Sequence, residues 1–374
     1  MRVESNLQPR LATLQAWLAI VRPGLHHAGV NRAAASLLAL LSVASAAVAV
    51  DTNAPAGPKS RVVLARDESA VAVFQVDAAK TRALVRAGIQ ALTGQTNEVA
   101  AWQQFISSND VVGIKISTLA APLHVTHRAV VDAIAAGVAS VGVVPANIIV
   151  WDKDPRKMQD GDWKPGPVTD SQPYRVVAVI GDTGWDPKVF YESKFVGKLI
   201  WGDFEFGREE SLGTRSHLPN LLTQTITKLI NVPVLMDHDS CGLAGCLYNL
   251  SLGMVDNTRR FEQFGLHGDP AIEEICASSP QLRRTLVLNI IDGLVAGFAG
   301  GPAFKPQYSA PYGGLYFSRD PVALDAVGLE LLEAKRKTAH IPAIDANASH
   351  IAYSARLGLG QSDRAKIDVI VVAP

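Results

Sequence analysis

Between Ile230 and Phe261 the chain reads INVPVLMDHDSCGLAGCLYNLSLGMVDNTRRF. An apolar run stops at Asp237-His238-Asp239, and a Cys- and Gly-rich turn, a short apolar segment, Asn257 and Arg259-Arg260 follow. Imidazole and carboxylate can bind a divalent metal or relay protons. His238 is therefore expected as general base or metal ligand, with Asp237 as its orienter or co-ligand. Neighbouring residues of a strand point to opposite faces, so further ligands must come from elsewhere; Asp292 is the first candidate, with His217 and His267 beside it. The competing reading is a polar strand end with capping aspartates. Arg259 and Arg260 could clamp a carboxylate or phosphate, or simply be solvated. Lys115 interrupts the apolar strand VVGIKI, and a buried ammonium needs a partner or a path to water. It is a second candidate for substrate contact. His124 and His127, at a loop-to-helix boundary, fit a cap or surface role as well as a shared face.

The three cysteines limit redox chemistry. Cys241 and Cys246 could bridge a small loop, stay as buried thiols, or supply a thiolate next to His238; Cys276 is left over. With no C-x-x-C pair, neither a zinc ribbon nor an iron–sulfur cluster is expected. The sequence has no G-x-x-x-x-G-K-[ST], H-E-x-x-H or G-x-S-x-G, which argues against nucleotide hydrolysis, zincin proteolysis and ordinary esterase chemistry.

Elements able to position these groups run from Arg61 to the end. Val62–Ala65, Val111–Ile116, Asn147–Trp151, Arg175–Ile180, Lys198–Trp201, Leu229–Leu235, Thr285–Ile291, Leu315–Ser318 and Ile367–Val372 read as strands. Helices are expected over Val76–Leu92, over Thr126–Ala139 with Thr126 as N-cap, and from Asp320-Pro321 to about Lys335. Strand–helix–strand order implies a three-layer α/β fold. Its central sheet is largely parallel, with room for a mixed edge, and helices cover both faces. Ligands in such folds bind beyond the strand ends.

The first fifty residues differ. Ala33–Val50 carries no charge, follows Arg32 and ends in small residues with A-x-A sites. That pattern fits a secretory signal, although its length also allows a single membrane anchor. Residues 1–49 are read as signal peptide and upstream extension, with translation starting nearer Val30 as one account of the extra length. Residues 50–60 read as a linker, and 61–374 as one domain. Cleavage would leave 31 basic against 34 acidic residues, and no stable membrane anchor. The expected location is periplasmic or extracellular. No basic stripe with aromatics suggests nucleic acid.

Six segments in order, DVVGIKIS, NIIVWDKD, INVPVLMDH, YNL to VDNTRRF, IDGLVAGFAGGP and SRDPVALDAVG, resemble the domain of unknown function (DUF) family 362 over roughly residues 61–374. Exported members with N-terminal signals are familiar in that family. Some relatives carry an iron–sulfur module, whose cysteines this chain lacks. Many have Lys where Met236 stands and Lys-Asn where Tyr248-Asn249 stands. The resemblance leaves Asp237, His238 and Asn249 in register and puts lysine-dependent chemistry in doubt. Together these readings predict an enzyme acting on a small anionic substrate, with or without a divalent metal. The alternative is a non-catalytic ligand-binding or redox-partner protein.

Overall fold

A computed structural model describes residues 59–193, 213–261 and 268–374. The leader, most of the linker, the strand expected at Lys198–Trp201 and His267 lie outside the described residues. In chain order the strands are β1 (Ser60–Arg66), β2 (Val71–Ala72), β3 (Gln75–Val76), β4 (Val112–Ile116), β5 (Ile148–Asp152), β6 (Arg175–Ala178), β7 (Trp185–Glu192), β8 (Arg215–Pro219), β9 (Lys228–Val232), β10 (Val234–His238), β11 (Gly242–Leu243), β12 (Leu286–Gly297), β13 (Ser309–Ser318) and β14 (Ile367–Val372). The helices are α1 (Ala78–Thr93), α2 (Glu98–Trp102), α3 (Arg128–Ser140), α4 (Pro155–Asp160), α5 (Cys246–Asn249), α6 (Ala271–Ser278), α7 (Pro280–Thr285), α8 (Pro321–Thr338) and α9 (Ser349–Arg356). None among the described residues is long and apolar enough to cross a membrane.

The main sheet runs β14-β1-β13-β12-β9-β4-β5-β6, with β10 attached to β12. Every pair along that row is parallel except those made by β13, which is antiparallel to β1 and to β12. The fold is the expected three-layer α/β architecture, and its mixed character comes from β13 and from the short β11, which is antiparallel to β10. Alternate residues of the strands face opposite sides, so each side of the sheet has its own core. Val112, Ile114 and Ile116 of β4 pack with α1 and α3 residues such as Leu84 and Ile134. Ile149 and Trp151 of β5 pack on the other side, with Leu247 of α5 and Leu324 of α8. The chain lays β5 and β6 on one side of β4, then returns to put β9 on the other. A reversal of strand order opens a crevice at the carboxyl ends of the two strands. The candidate residues that follow sit around that edge.

Several boundaries differ from the sequence reading for clear reasons. Pro233 has no N–H for a ladder, and the strand expected over Leu229–Leu235 divides there into β9 and β10. Val76 belongs to a short hairpin, and α1 begins after Asp77, whose carboxylate accepts from the Lys80 N–H. Thr126 is not the cap of α3; His127 holds that position. Asp320 does cap α8, accepting from the Val322 and Ala323 N–H groups at 2.9 Å each. Asp325 serves a different helix from its own. Its carboxylate accepts from the N–H groups of Cys246 (2.6 Å) and Leu247 (2.9 Å), the first residues of α5. Burial pushes the Asp325 carboxyl up to about 7.

Candidate functional site

A row of buried polar side chains crosses the sheet at one level. Register sets Lys115 beside Asn231, Asn231 beside Asn289, and Asn289 beside Ser318. All are buried on the α5 side. Lys115 Nζ donates to Asp152 Oδ1 (2.7 Å), the Ile116 carbonyl (2.8 Å) and Asn249 Oδ1 (3.0 Å). Three acceptors are what an ammonium can use and an amine cannot, so Lys115 is an ion paired with Asp152. Burial works against the Asp152 charge, but Lys115 and the donors around it outweigh that and hold its carboxyl below the usual range. Asn249 Nδ2 donates to Asn231 Oδ1 at 2.8 Å, and Asn231 Nδ2 donates to Asn289 Oδ1 at 3.0 Å. The row ties α5 to four strands. Lys115 and Asn249, both expected at a substrate site, are joined here as parts of one buried network. Asn249 and Asp152 also edge a small recess with Thr118 and Tyr248.

This network holds the loop that leaves β4. Asp152 Oδ2 accepts from the Thr118 N–H (2.8 Å) and hydroxyl (2.7 Å). Thr126 Oγ1 accepts from the Ser117 N–H at 2.9 Å and donates to the Val232 carbonyl at 2.7 Å. The loop is pinned at both ends, and its last residue is His127. Both the backbone N–H and the ring Nδ1 of His127 lie 2.8 Å from Asp292 Oδ2. Asp292 Oδ1 accepts from the Leu294 N–H at 3.1 Å. Asp292 is fully buried and the His127 side chain is 17% exposed. Burial disfavours the imidazolium, but the Asp292 charge and hydrogen bond prevail and raise the His127 pKa above its ordinary value. A carboxylate fixed at Nδ1 sets the tautomer and leaves Nε2 as the basic atom.

His127 lines a cavity of about 460 Å³ whose other walls include Val125, Trp163, Val295 and Phe304. Arg128 lines it too; its guanidinium lies 4.5 Å from the Trp163 ring and donates to the Asp162 carbonyl at 3.1 Å. The thirteen-residue helix α3 begins here with no side-chain cap. Its first N–H groups, those of Arg128 and Ala129, belong to residues that line the cavity. An uncapped helix start carries partial positive charge. The arrangement combines an oriented imidazole, a positive helix end and apolar walls, at the carboxyl edge of parallel strands.

The other expected site residues are engaged separately. Asp237 accepts from the Gly301 N–H at 3.1 and 3.2 Å and lies 3.5 Å from Arg336. Burial raises its carboxyl to about 6. Gly301 must be glycine, since a Cβ would lie 2.1 Å from the Asp237 carbonyl oxygen. His238 Nδ1 accepts from the Ser240 and Cys241 N–H groups at 3.3 Å, and its ring tilts against Tyr248. Arg260 is buried, donates to Ser216 Oγ (2.7 Å) and the Asn257 carbonyl (3.1 Å), and stacks on Phe261. Arg259 follows Thr258 at the start of a 3₁₀ turn and is exposed. His217 pairs with Asp256 at 3.0 Å.

Among the described residues no three His, Cys, Asp or Glu side chains are placed to hold a metal ion. The set Asp237, His238 and Asp292 does not form one, because Asp292 is taken by His127. The bridge considered for Cys241 and Cys246 is absent as well; all three cysteines are buried thiols outside any disulfide. Cys246 opens α5 against Asp325, while Cys241 faces Gly268. Asp292 and His127 were both candidates from the sequence, but unconnected ones. Asn231 and Asn289 were not, although each is a polar residue inside an apolar strand, the signal that marked Lys115.

A crystal structure of a protein from Thermotoga maritima is similar at 9% identity and a TM-score of 0.38, covering 75% of this chain. This chain spans 59% of the length of that one. No curated protein matches the sequence. Residues 214–330, from the start of β8 into α8, match the family model described as "Domain of unknown function (DUF362)".

Proposed function

We propose that the protein is an enzyme in which His127, oriented by Asp292, acts as general base on an acyl substrate held in the cavity. The observation that carries this is the imidazole pinned at Nδ1 by a buried carboxylate on a cavity wall. Nε2 takes a proton from water as the water oxygen attacks the acyl carbon. Negative charge then grows on the carbonyl oxygen, which the start of α3 and Arg128 are placed to stabilise. Collapse of the adduct expels the leaving group, which receives the proton back from Nε2. An anionic or strongly polarised head group suits the same positive edge, whereas the sequence reading places such a group at Arg259 and Arg260. The base differs from the His238 expected there, and metal assistance is no part of the proposal.

Hydrolysis of a series of p-nitrophenyl esters tests it. Removing a general base typically costs a factor of about 10² to 10⁴, and His127→Gln should lose that much while keeping its melting temperature within a few degrees. A variant that hydrolyses as fast as wild type ends the reading. Wild type that binds the esters without turnover favours the alternative, a non-catalytic ligand-binding protein, for which the fixed ion pairs and apolar walls would also serve.

We infer export from the uncharged Ala33–Val50 run and its A-x-A ending. N-terminal sequencing of the mature protein should begin just after Ala46 or Ala49. Mature protein that retains residues 1–49 rules this out.

A further inference from the structure

Phe74, Gln75 and Val76 line the cavity and belong to a turn whose residues conflict with its backbone. β2 and β3 pair Val71 with Val76 and Ala72 with Gln75, so Val73 and Phe74 alone connect them. Both are left-handed, with φ of 49° and 62°. Two successive left-handed residues between paired strands make a turn of the I′ kind, which Asn-Gly fills at least cost. A β-branched residue at positive φ is a genuine outlier, and strain of this sort gathers where ligands are gripped. Burial does not account for the choice, because Val73 is 91% and Phe74 47% exposed. Phe74 lines the cavity together with Leu123, itself 53% exposed, from the loop after β4. An apolar lip thus continues into apolar walls, while His127, Arg128 and Asp162 supply the cavity's titratable and charged groups. Pockets of this kind hold mostly apolar ligands oriented by a few polar contacts.

We propose that the cavity takes a single-chain amphiphile, an alkyl chain ending in one anionic or acyl group, and that the Val73–Phe74 tip grips the chain. The proposal rests on the reading of His127 as base and narrows its substrate from an acyl compound to a long-chain one. The chain lies along Trp163, Phe304 and the lip, and the head reaches His127 and the start of α3.

The test uses the full chain and a Val73→Asn/Phe74→Gly double variant, which gives the turn its preferred residues and so keeps the fold. Each is titrated calorimetrically with dodecanoate below its micelle concentration, with acetate, and with dodecyltrimethylammonium. Dodecanoate is expected to bind wild type at least tenfold more tightly than either of the others. The double variant is expected to melt at a higher temperature than wild type yet bind dodecanoate at least fivefold more weakly. Equal affinity for dodecanoate and acetate, tighter binding of the cationic chain, or unchanged affinity in the double variant overturns the proposal. A double variant that melts lower also overturns it, since the tip would then be structural. The two readings fail separately. Ester hydrolysis that needs His127 but ignores chain length keeps the base and loses the amphiphile. Binding that follows chain length without any hydrolysis keeps the amphiphile and loses the base.

Discussion

Lys115→Met should destabilise the protein by about 3–5 kcal/mol at pH 7, the usual cost of leaving one member of a buried ion pair without the other. Methionine nearly matches the lysine stem in shape, so packing changes little. What remains is an Asp152 carboxylate with no cation and an Asn249 carbonyl oxygen with no donor. Urea denaturation measures the loss, and its pH dependence identifies the cause. In wild type the Asp152 pKa is lowered, so its contribution is present above the unfolded carboxylate value, near 3.8, and is lost as pH falls through the lowered value. Without Lys115, burial dominates and Asp152 takes up a proton at higher pH. The deficit of Lys115→Met should therefore shrink as the solution is made mildly acidic. Adding Asp152→Asn should recover much of the loss at pH 7, since a neutral amide needs no counter-ion. A single variant as stable as wild type would mean that the row does not hold β4, β5 and α5 together.

The sheet was legible because its strands are short apolar runs between turn residues. Their order, strand then helix then strand, was enough to imply helices on both faces of the sheet. Lys115 stood out for the same reason, a charge where the pattern wants an apolar side chain. Its partner was less legible. Asp152 was visible as the end of an apolar run, but only the β4–β5 register, with Lys115 beside Trp151, brings its carboxylate to the ammonium. Asn231 and Asn289 carried the same signal as Lys115 in a weaker form. An uncharged amide costs less to bury than an ion and draws less notice. The polar cluster at Asp237–Asp239 was conspicuous for its density, yet density along the chain is not convergence in space. Asp237 and His238 follow each other on β10, and a strand sends consecutive side chains in opposite directions.

The hairpin at Val71–Val76 was illegible for a different reason. Val-Phe is not a turn signal, and nothing in the composition marks those residues as left-handed. The dyad was hidden by sequence distance, 165 residues apart. His127 follows a loop pinned through Thr118 and Thr126, and Asp292 sits where β12 runs alongside β10. His127 had an adequate local explanation as a cap or surface residue, and Asp292 had one as a metal ligand with Asp237 and His238.

Asp292→Asn should reduce any His127-dependent turnover by about two to four orders of magnitude while leaving the fold in place. The aspartate accepts three hydrogen bonds, from the His127 N–H and ring Nδ1 and from the Leu294 N–H. An asparagine side chain can accept at only one end. If its carbonyl faces His127, its amide confronts the Leu294 N–H. If it turns over, the amide confronts the His127 backbone N–H and offers Nδ1 a donor, which moves the ring proton to Nε2 and removes the base. Either way one buried N–H loses its acceptor, at about 1–3 kcal/mol. The pH dependence separates loss of the carboxylate from general damage. In wild type the raised His127 pKa adds stability that is complete below the unfolded value, near 6.5, and disappears as pH rises through the raised value. The stability gap between wild type and Asp292→Asn should be widest in mild acid and narrow in alkali. The activity profile should move the other way. A base must be neutral to act, so the acid limb of wild type lies above 6.5. Without Asp292 burial alone governs the imidazole, and that limb should shift to lower pH in whatever turnover remains. An Asp292→Asn variant with an unmoved limb would show that the carboxylate does not set the charge of His127.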